Sequence, residues 1–455
     1  MKIVVIGIGK VGYTVAEQLV GENHDVTLVD TSTEVLRDAL GSLDAIGVSG
    51  NGATRTTLNE AGAGESELVI ALTGSDEVNL LCCLIAKKLG ARGTIARVRN
   101  PEYHKDLAVF SDSLGLTMAV NPEREASLEI FRLLKFPTAI NVDVFSQGMI
   151  DLVSFEIVSG CNLCDKCIKD SFWGIEYNVL ACAVERGDEV FIPKGDFVVR
   201  EGDVMAAMIP PHEMTDFFKA IGIPVKRVKN AVIVGGGVIA QYLIGKLSGL
   251  KMDVTVIEKD PETAEKLSFL FPDANIVCAD GTNRDVLLEE GLQNADALCA
   301  LTGFDEENIF LSLYAKSAVP GIKTVTKVNK IAFQELTGIL DIGSVVYPKY
   351  ITADKILQHV RARQNNVGSN VETLYKIIDN KVEALEFRVA EDSFVANKTL
   401  IDLKLKPNVL IGAVTRDGHV FIPHGNDKLL PGDSVVVVTT ITGISNLDSI
   451  IEARV

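Results

Sequence analysis

Two glycine-rich loops are the parts of this sequence best suited to bind phosphate. In the first, Gly7, Gly9 and Gly12 have the spacing G-x-G-x-x-G between an apolar run and an amphipathic stretch. The first glycine of such a loop permits a tight turn, the second lets the backbone approach a pyrophosphate, and the third allows strand and helix to pack closely. The N-terminus of the following helix favours the phosphate charge. We therefore expect this loop to bind the phosphates of a nucleotide.

An acidic residue downstream of the loop narrows the choice of nucleotide. Asp30 ends the second apolar run, about 20 residues beyond the loop. A carboxylate at this position accepts hydrogen bonds from ribose hydroxyls and repels a 2′-phosphate. The sequence thus favours NAD(H) or an adenine nucleotide over NADP(H). A solvated acid at a strand end is the alternative interpretation.

The second loop follows the same plan with one change. Gly235 and Gly237 keep the first two glycine positions, Ala240 replaces the third, and Glu258 takes the place of Asp30. Alanine is a tolerated variant at the third position. For this copy the sequence leaves two alternatives, a second nucleotide site or a retained fold that binds nothing.

Polar side chains that follow two further apolar runs predict the rest of each crevice, because ligands of open parallel sheets lie beyond the carboxyl ends of the strands. These residues are Thr73, Asp76, Asn79 and Arg97 in the first copy, and Thr302, Asp305, Asn308 and Lys327 in the second. An arginine can hold phosphate through two hydrogen bonds, whereas a lysine offers a point charge. Threonine and aspartate in such positions are also ordinary helix caps.

An internal duplication organises the whole chain. Matching segments lie about 230 residues apart and include GNGAT with ADGTN, ALTGSDEVN with ALTGFDEEN, and ERGDEVFIPKG with TRDGHVFIPHG. The first part of each copy alternates short apolar runs with amphipathic stretches, which is typical of βαβ units and a parallel sheet. The second part has short β-rich runs broken by turns, which indicates a small strand-rich lobe.

We therefore predict an α/β protein with two Rossmann-like, doubly wound parallel-sheet lobes, each followed by a small mixed α+β lobe. The predicted domains are residues 1–136 for the first Rossmann-like lobe with its linker helix and 137–226 for the first small lobe. Residues 227–364 form the second Rossmann-like lobe with its linker helix, and 365–455 the second small lobe. Each linker helix is expected to begin near a proline, Pro122 or Pro348.

Three cysteines have a spacing that in isolation suggests zinc or an iron–sulfur cluster. They are Cys161, Cys164 and Cys167 in the segment CNLCDKC. No fourth ligand is evident nearby, and the matching segment of the second copy, EDSFVAN, contains no cysteine. Since that copy builds the same loop without sulfur, we predict loop residues and no metal site, with metal or redox sensing as the alternative.

Charge and hydropathy exclude several classes of protein. The 455-residue chain has 44 basic and 61 acidic residues and a net charge of −17, which disfavours nucleic acid or an anionic lipid surface as the main partner. Its longest uncharged run covers 16 residues from Asn230 to Gly245, short of the roughly 18 to 20 apolar residues that span a bilayer. The start lacks the pattern of a signal peptide, so we expect a cytosolic protein that does not insert into the membrane.

The histidines give no support to a catalytic role. A dehydrogenase needs a base and an anion clamp in a separate substrate domain. The six histidines of this chain are scattered and do not recur between the copies. We therefore predict a binding protein and no enzyme, with an NAD-dependent oxidoreductase as the alternative.

The doubled order of GIGKVG, ALTGSDEVN, IARVRNPEY and GDEVFIPKGD resembles the TrkA family, the cytosolic regulatory subunits of bacterial Trk potassium-uptake systems. The repeated units of this family are called RCK or KTN domains. The resemblance implies a homotetramer that binds NAD(H) and ATP or ADP and gates a membrane potassium channel subunit of the TrkH or TrkG type. It also implies a location on the inner face of the cell membrane, reached through that subunit.

The resemblance implies binding positions in both copies. In the first copy they are Gly7, Gly9, Lys10, Val11, Gly12, Asp30, Thr73, Asp76 and Arg97. In the second copy they are Gly235, Gly237, Val238, Ala240, Glu258, Asp280, Thr302 and Lys327. Asn51 departs from the family pattern, which has an aspartate there, as Asp280 does in the second copy. The sequence does not assign a nucleotide to each site, and regulation of another cation transporter is a further alternative.

Overall fold

The structure is a computed structural model that describes residues 1–171, 178–223, 225, 227–329, 340–364, 371–378, 381–444 and 446–452. The chain forms two compact units, each built from two separate segments. Met1–Ile130 and Ala231–His359 form the first unit, and Phe131–Asn230 and Val360–Val455 form the second. The duplicated lobes are therefore grouped by type, Rossmann-like with Rossmann-like and small with small.

Strands and helices alternate in the Rossmann-like lobes, whereas strands dominate the small lobes. The strands are β1 (Lys2–Ile6), β2 (Asp25–Asp30), β3 (Ile46–Ser49), β4 (Leu68–Ala71), β5 (Thr94–Arg97), β6 (Met118–Val120), β7 (Asn141–Phe145), β8 (Ile150–Glu156), β9 (Leu180–Arg186), β10 (Glu189–Phe191), β11 (Val204–Ile209), β12 (Asn230–Val234), β13 (Asp253–Glu258), β14 (Asn275–Cys278), β15 (Ala297–Ala300), β16 (Lys323–Lys327), β17 (Ser344–Val346), β18 (Val371–Ile377), β19 (Val382–Arg388), β20 (Val409–Arg416), β21 (His419–Phe421) and β22 (Ser434–Thr439). The α-helices are α1 (Lys10–Gly21), α2 (Thr33–Leu40), α3 (Arg55–Glu60), α4 (Asp76–Leu89), α5 (Pro101–Leu114), α6 (Pro122–Lys135), α7 (Ile168–Ser171), α8 (Met214–Ala220), α9 (Val238–Leu247), α10 (Pro261–Leu270), α11 (Arg284–Glu289), α12 (Asp305–Ala318) and α13 (Pro348–Gln364).

The first unit contains two six-stranded sheets of the same topology. Their strand orders are β3-β2-β1-β4-β5-β6 and β14-β13-β12-β15-β16-β17. Strand β1 pairs in parallel with both β2 and β4, so the strand order reverses at β1. Such a reversal separates the loops at the carboxyl ends of the two flanking strands and opens a crevice between them. This topology confirms the predicted Rossmann-like lobes.

The sequence of the central strands explains why they lie inside the sheet. All four residues of β4, with the sequence LVIA, are buried. A strand covered by helices on both faces needs apolar side chains in both directions, which gives a continuous apolar run and no alternation. Cys82 and Cys83 of α4 are fully buried against this sheet, as small core residues.

The second unit contains two five-stranded antiparallel sheets. Their orders are β10-β9-β11-β8-β7 and β18-β19-β22-β20-β21. Apolar side chains from both sheets form one shared core, in which Phe145 and Tyr375 contact each other edge to face with ring centroids 4.8 Å apart. Each small lobe also has a core of its own on the other face. The prediction of small strand-rich lobes is confirmed.

In the described part of the chain, no helix combines the length and the apolar character needed to span a membrane.

Candidate functional site

A cleft of about 840 Å³ opens where the strand order of the first sheet reverses. Its walls include the glycine loop, the ends of β2, β4 and β5, and the start of α6. The lining residues include Gly7, Gly9, Lys10, Val11, Asp30, Asn51, Thr73, Arg97, Arg99, Glu123, Asn329 and Lys349. The structure thus brings together most of the residues predicted for the first site.

The three glycines of the first loop have three different roles. Gly7 has a φ of +86°, and a Cβ on it would lie 2.7 Å from the backbone nitrogen of Thr73. A Cβ on Gly12 would lie 1.9 Å from the carbonyl oxygen of Gly7, so Gly12 permits the contact between helix and strand and does not line the cleft. A Cβ on Gly9 would meet nothing within 4 Å. Gly9 thus borders open space in the cleft, as a phosphate-binding loop requires.

Asp30 holds the glycine loop in place. One carboxylate oxygen accepts a hydrogen bond of 2.7 Å from the backbone N–H of Ile8, and the other accepts one of 2.9 Å from Ser32. Glu258 makes the same two contacts in the second lobe, with the backbone N–H groups of Gly236 at 2.6 Å and Asp260 at 2.8 Å. Each carboxylate oxygen can accept a further hydrogen bond, so Asp30 can also accept hydrogen bonds from the hydroxyl groups of a ribose.

A buried asparagine joins the two strand ends on the other side of the cleft. The Asn79 side-chain oxygen accepts hydrogen bonds from the N–H and the hydroxyl of Thr73, both at 2.7 Å. Its amide donates to the carbonyl oxygen of Arg97 at 2.9 Å. Asn308 repeats the pattern in the second lobe, where it contacts Thr302 and Lys327. This asparagine therefore fixes the spacing between the carboxyl ends of β4 and β5.

Basic side chains concentrate in the cleft. Arg97 donates to the carbonyl oxygen of Thr73, and its Nε is buried without a hydrogen-bond partner among the described residues. Burial and, secondarily, Arg99 lower the pKa of the Arg97 guanidinium. Burial also raises the pKa of Glu123, whose Oε2 is likewise buried with no partner in the described residues. The other carboxylate oxygen of Glu123 lies 4.0 Å from Arg99. An anionic ligand in the cleft would compensate the charge of Arg97.

Asp76 lies beside the cleft, outside its lining. Its Oδ2 accepts hydrogen bonds from the backbone N–H groups of Arg99 at 2.9 Å and Asn100 at 2.8 Å. Asp305 makes the matching contact with the backbone N–H of Asn329 in the second lobe. Asp76 thus holds the loop that carries Arg99. Arg99 lines the cleft, and Asp76 does not.

The second lobe repeats the loop geometry. Gly235 has a φ of +100°, and a Cβ on Gly237 would meet nothing within 4 Å. Ala240 is buried, and Val238 begins helix α9. Asp280 is exposed and accepts hydrogen bonds from the Thr282 N–H and hydroxyl, which lower the pKa of its carboxyl.

Lys327 has a different environment from that of Arg97, its counterpart. Its Nζ donates to the carbonyl oxygen of Leu301 at 3.2 Å, and burial lowers its pKa. This ammonium is therefore already engaged by a backbone carbonyl group.

The residues of the cleft that were not predicted as ligands from the sequence include Arg99, Glu123, Asn329 and Lys349. The last two come from the second lobe. The duplication contained a signal for two of them, since Pro122-Glu123 and Pro348-Lys349 begin the matching helices α6 and α13. Glu123 and Lys349 occupy matching positions in these helices and carry opposite charges, which distinguishes the two copies.

The cysteine segment lies in the first small lobe. Cys161 is buried, and Cys164 and Cys167 are half-buried. Burial raises the pKa of the Cys161 and Cys164 thiols, which disfavours their thiolate forms. Among the residues that the structure describes, no group of three or more His, Cys, Asp or Glu side chains is placed to hold a metal ion.

Comparison with known proteins identifies both lobe types. The TrkA-N domain model matches residues 3–122 and 231–348, and the TrkA-C domain model matches residues 152–222 and 384–452. The Trk system potassium uptake protein TrkA homolog of Archaeoglobus fulgidus is 32% identical over 451 residues, which cover 99% of this chain and 100% of the relative. The TrkA protein of Halomonas elongata is 30% identical over 442 residues, 96% of this chain and 95% of the relative.

Solved structures share the fold across the whole chain. The RCK domain of GsuK has a TM-score of 0.63 at 18% identity and covers 96% of this chain and 92% of its own. The GsuK channel bound to NAD has a TM-score of 0.63 at 18% identity and covers 100% of this chain and 79% of its own. Both domain models match the chain twice, and two relatives are 30% and 32% identical over nearly their full length. The chain therefore belongs to the TrkA family.

Proposed function

We propose that this protein is the nucleotide-sensing regulatory subunit of a potassium-uptake system and that the first cleft binds NAD(H), ATP or ADP. The observation that carries this proposal is the glycine loop, where Gly9 borders open space while Asp30 holds the loop from behind. Lys10 and Arg97 supply positive charge beside that space. A phosphate chain fits this combination of exposed backbone and basic side chains.

A binding role is better supported than a catalytic one. The residues that line the cleft include no histidine and no cysteine, although either could serve as the base or nucleophile of an NAD-dependent enzyme. Two of the acidic residues near the loop, Asp30 and Asp76, are already engaged by backbone N–H groups. We therefore infer that the bound nucleotide acts as a signal and is not turned over.

The relatives support a membrane partner. They are named potassium uptake proteins of the Trk system, and the GsuK neighbours are channel structures. We infer a channel subunit of the TrkH or TrkG type as the partner, a homotetrameric assembly, and a place on the cytoplasmic face of the membrane. ADP, seen with one GsuK structure, and ATP are candidate ligands besides NAD(H).

Helix α6 offers a path from the nucleotide to the small lobe. Its first residues, Pro122 and Glu123, line the cleft, and its last turn belongs to the second unit. A ligand shifts a conformational equilibrium only by the difference between its affinities for the two states. A nucleotide that contacts the first turn of α6 in one state more than in the other would therefore bias the position of the attached small lobe.

Nucleotide titration and potassium flux test this proposal. Gly9→Asp and Gly237→Asp place a carboxylate in the open space beside each loop, and the protein has room for both side chains because no atom lies within 4 Å of either Cβ. Gly249→Asp is a matched control, since its Cβ also meets nothing and it lies outside the cleft. We expect Gly9→Asp to abolish binding to the first site and to remove its share of nucleotide-dependent flux in channel vesicles.

The effect of Gly237→Asp reports whether the second loop binds a nucleotide as well. If folded Gly9→Asp and Gly237→Asp proteins both retained the full nucleotide-dependent flux of the wild type, the proposed sensing role would be wrong. Absence of calorimetric binding of NADH, ATP and ADP to the wild type would also contradict it.

A further inference from the structure

The first cleft is completed by residues of the second Rossmann-like lobe. Asn329 follows β16, and Pro348 and Lys349 begin α13, yet all three line the cleft that contains the first glycine loop. Both lobes belong to the same compact unit. They are in direct contact near this point, where the Asn121 amide donates a hydrogen bond of 3.0 Å to the Tyr242 hydroxyl. The cleft wall is thus shared between the two copies.

Lys349 is placed as an anion ligand. The residue is only 9% exposed, and it has no ion-pair partner within 4.0 Å among the residues that the structure describes. Its Nζ lies 5.0 Å from the centroid of the Tyr350 ring. Burial, followed by the charge of Lys10, lowers the pKa of Lys349, and Glu17 and Asp305 oppose this shift. A buried ammonium that is repelled by a second lysine is stabilised when an anion lies between the two.

The internal repeat shows that this lysine is a difference between the copies. Glu123 occupies the first-copy position that Lys349 occupies in the second, directly after the proline that begins each helix. Burial lowers the pKa of Lys327, and the charges of Asp305 and then of Glu123, from the other lobe, oppose that shift. Both Glu123 and Lys349 line the first cleft, so this cleft receives a cation from the second lobe beside its own Glu123 carboxylate.

We propose that Lys349 is a phosphate-binding residue of the first nucleotide site, so that an adenine nucleotide bound there contacts both Rossmann-like lobes of one chain. This inference rests on the proposed nucleotide binding of the first cleft. Lys349 is one of four basic side chains that line this cleft, with Lys10, Arg97 and Arg99. Such a site favours ligands with more phosphate groups, because each added phosphate adds charge-assisted contacts.

The test compares nucleotides that differ in phosphate number. ATP, ADP, AMP and adenosine are titrated by calorimetry into full-length wild type, Lys349→Met, Lys349→Arg and the control Lys355→Met. Lys355 is an exposed residue of the same helix, outside the cleft lining. We expect Lys349→Met to weaken ATP binding by about tenfold or more and to leave adenosine binding unchanged. Lys349→Arg should restore most of the ATP affinity, and Lys355→Met should bind like the wild type.

Two results would overturn the inference. One is an ATP affinity of Lys349→Met within twofold of that of the wild type, and the other is an equal loss for ATP and adenosine. Gly9→Asp separates this failure from failure of the proposed function. If the wild type binds ATP and Gly9→Asp does not, the site stands and only the role of Lys349 is refuted. If the wild type binds no nucleotide, both proposals fail.

A measurement on the wild type covers the case in which Lys349→Met does not fold. The protein is labelled with an amine-acylating reagent with ATP or adenosine present, and modification is measured by mass spectrometry with Lys355 as the internal reference. We expect ATP to protect Lys349 and adenosine to leave it as reactive as in the protein alone. Equal labelling of Lys349 with ATP and with adenosine would overturn the inference.

Discussion

Replacing Asp30 by alanine tests the ribose-binding role of this carboxylate. In the structure Asp30 accepts two backbone hydrogen bonds, from Ile8 at 2.7 Å and from Ser32 at 2.9 Å, and it lines the cleft. The change removes the acceptor for the ribose hydroxyls and the negative charge that opposes a 2′-phosphate. It also leaves the N–H of Ile8, a residue that is 4% exposed, without its acceptor.

The magnitude follows from these contacts. A hydrogen bond to a charged group contributes about 1.5 to 3 kcal/mol, so the loss of the ribose contact should weaken NADH binding by about tenfold to one-hundredfold. Leaving a buried N–H without an acceptor costs about 1 to 3 kcal/mol of folding stability. The preference for NADH over NADPH should shrink, because the repulsion of the 2′-phosphate disappears with the carboxylate.

Calorimetry in a Gly237→Asp background measures the first site alone. Glu258→Ala is the matched control, because Glu258 makes the same pair of backbone contacts in the second lobe. Glu258→Ala should lose about as much folding stability as Asp30→Ala and should bind NADH at the first site as tightly as the parent protein. An NADH affinity of Asp30→Ala within twofold of the parent, with the protein still folded, would refute the assignment of Asp30 to the ribose.

Two further predictions concern the small lobes. Asp203 and Asp433 are each 1% exposed and accept hydrogen bonds from Arg186 and Arg416 at 2.7 Å. Each also accepts one from a backbone N–H, that of Arg200 or Leu430. Asp203→Ala and Asp433→Ala should each lower the free energy of unfolding by about 1 to 3 kcal/mol, because these donors lose their acceptor; a loss below about 0.5 kcal/mol in urea unfolding would contradict this. Burial raises the pKa of Asp151 from 3.8 to about 6, against Arg132 and Lys135. The folded state therefore binds the proton more tightly than the unfolded state, and this contribution to stability is lost as pH rises from about 4 to above 6. Asp151→Asn should thus be more stable than the wild type at pH 7.5, by at most about 3 kcal/mol, and the difference should vanish near pH 4; a difference that does not change with pH would refute the origin of this effect.

The glycine loops and the apolar runs were accessible from the sequence because they are local signals. An apolar run such as Leu68–Ala71 can be buried on both faces only inside a parallel sheet. The roles of Gly7 and Gly12 likewise follow from the turn that the loop must make, and the structure has both contacts. Asp30 could be assigned to the end of its strand because strand length and helix length set its distance from the loop.

Other features of the site depend on residues that are far apart in the sequence. Asn79 was placed near the crevice, but its hydrogen bonds to Thr73 and to the Arg97 carbonyl follow from the adjacency of β4 and β5. The position of Asp76 depends on the loop after β5, which it binds through backbone N–H groups. No spacing rule within one element gives such contacts, because they depend on how neighbouring strands are aligned.

The sequence by itself determined the duplication, the class of each lobe and the phosphate-binding loop, since periodicity and turn chemistry act over a few residues to a few tens of residues. Only the tertiary structure decided that like lobes join, so that two segments from distant parts of the chain form each compact unit. That pairing brings Lys349 to the cleft of the first loop, more than 300 positions away in the chain. The physical reason is burial: the match between the surfaces of the two lobes, which no local pattern encodes, selects which side chains share the cleft.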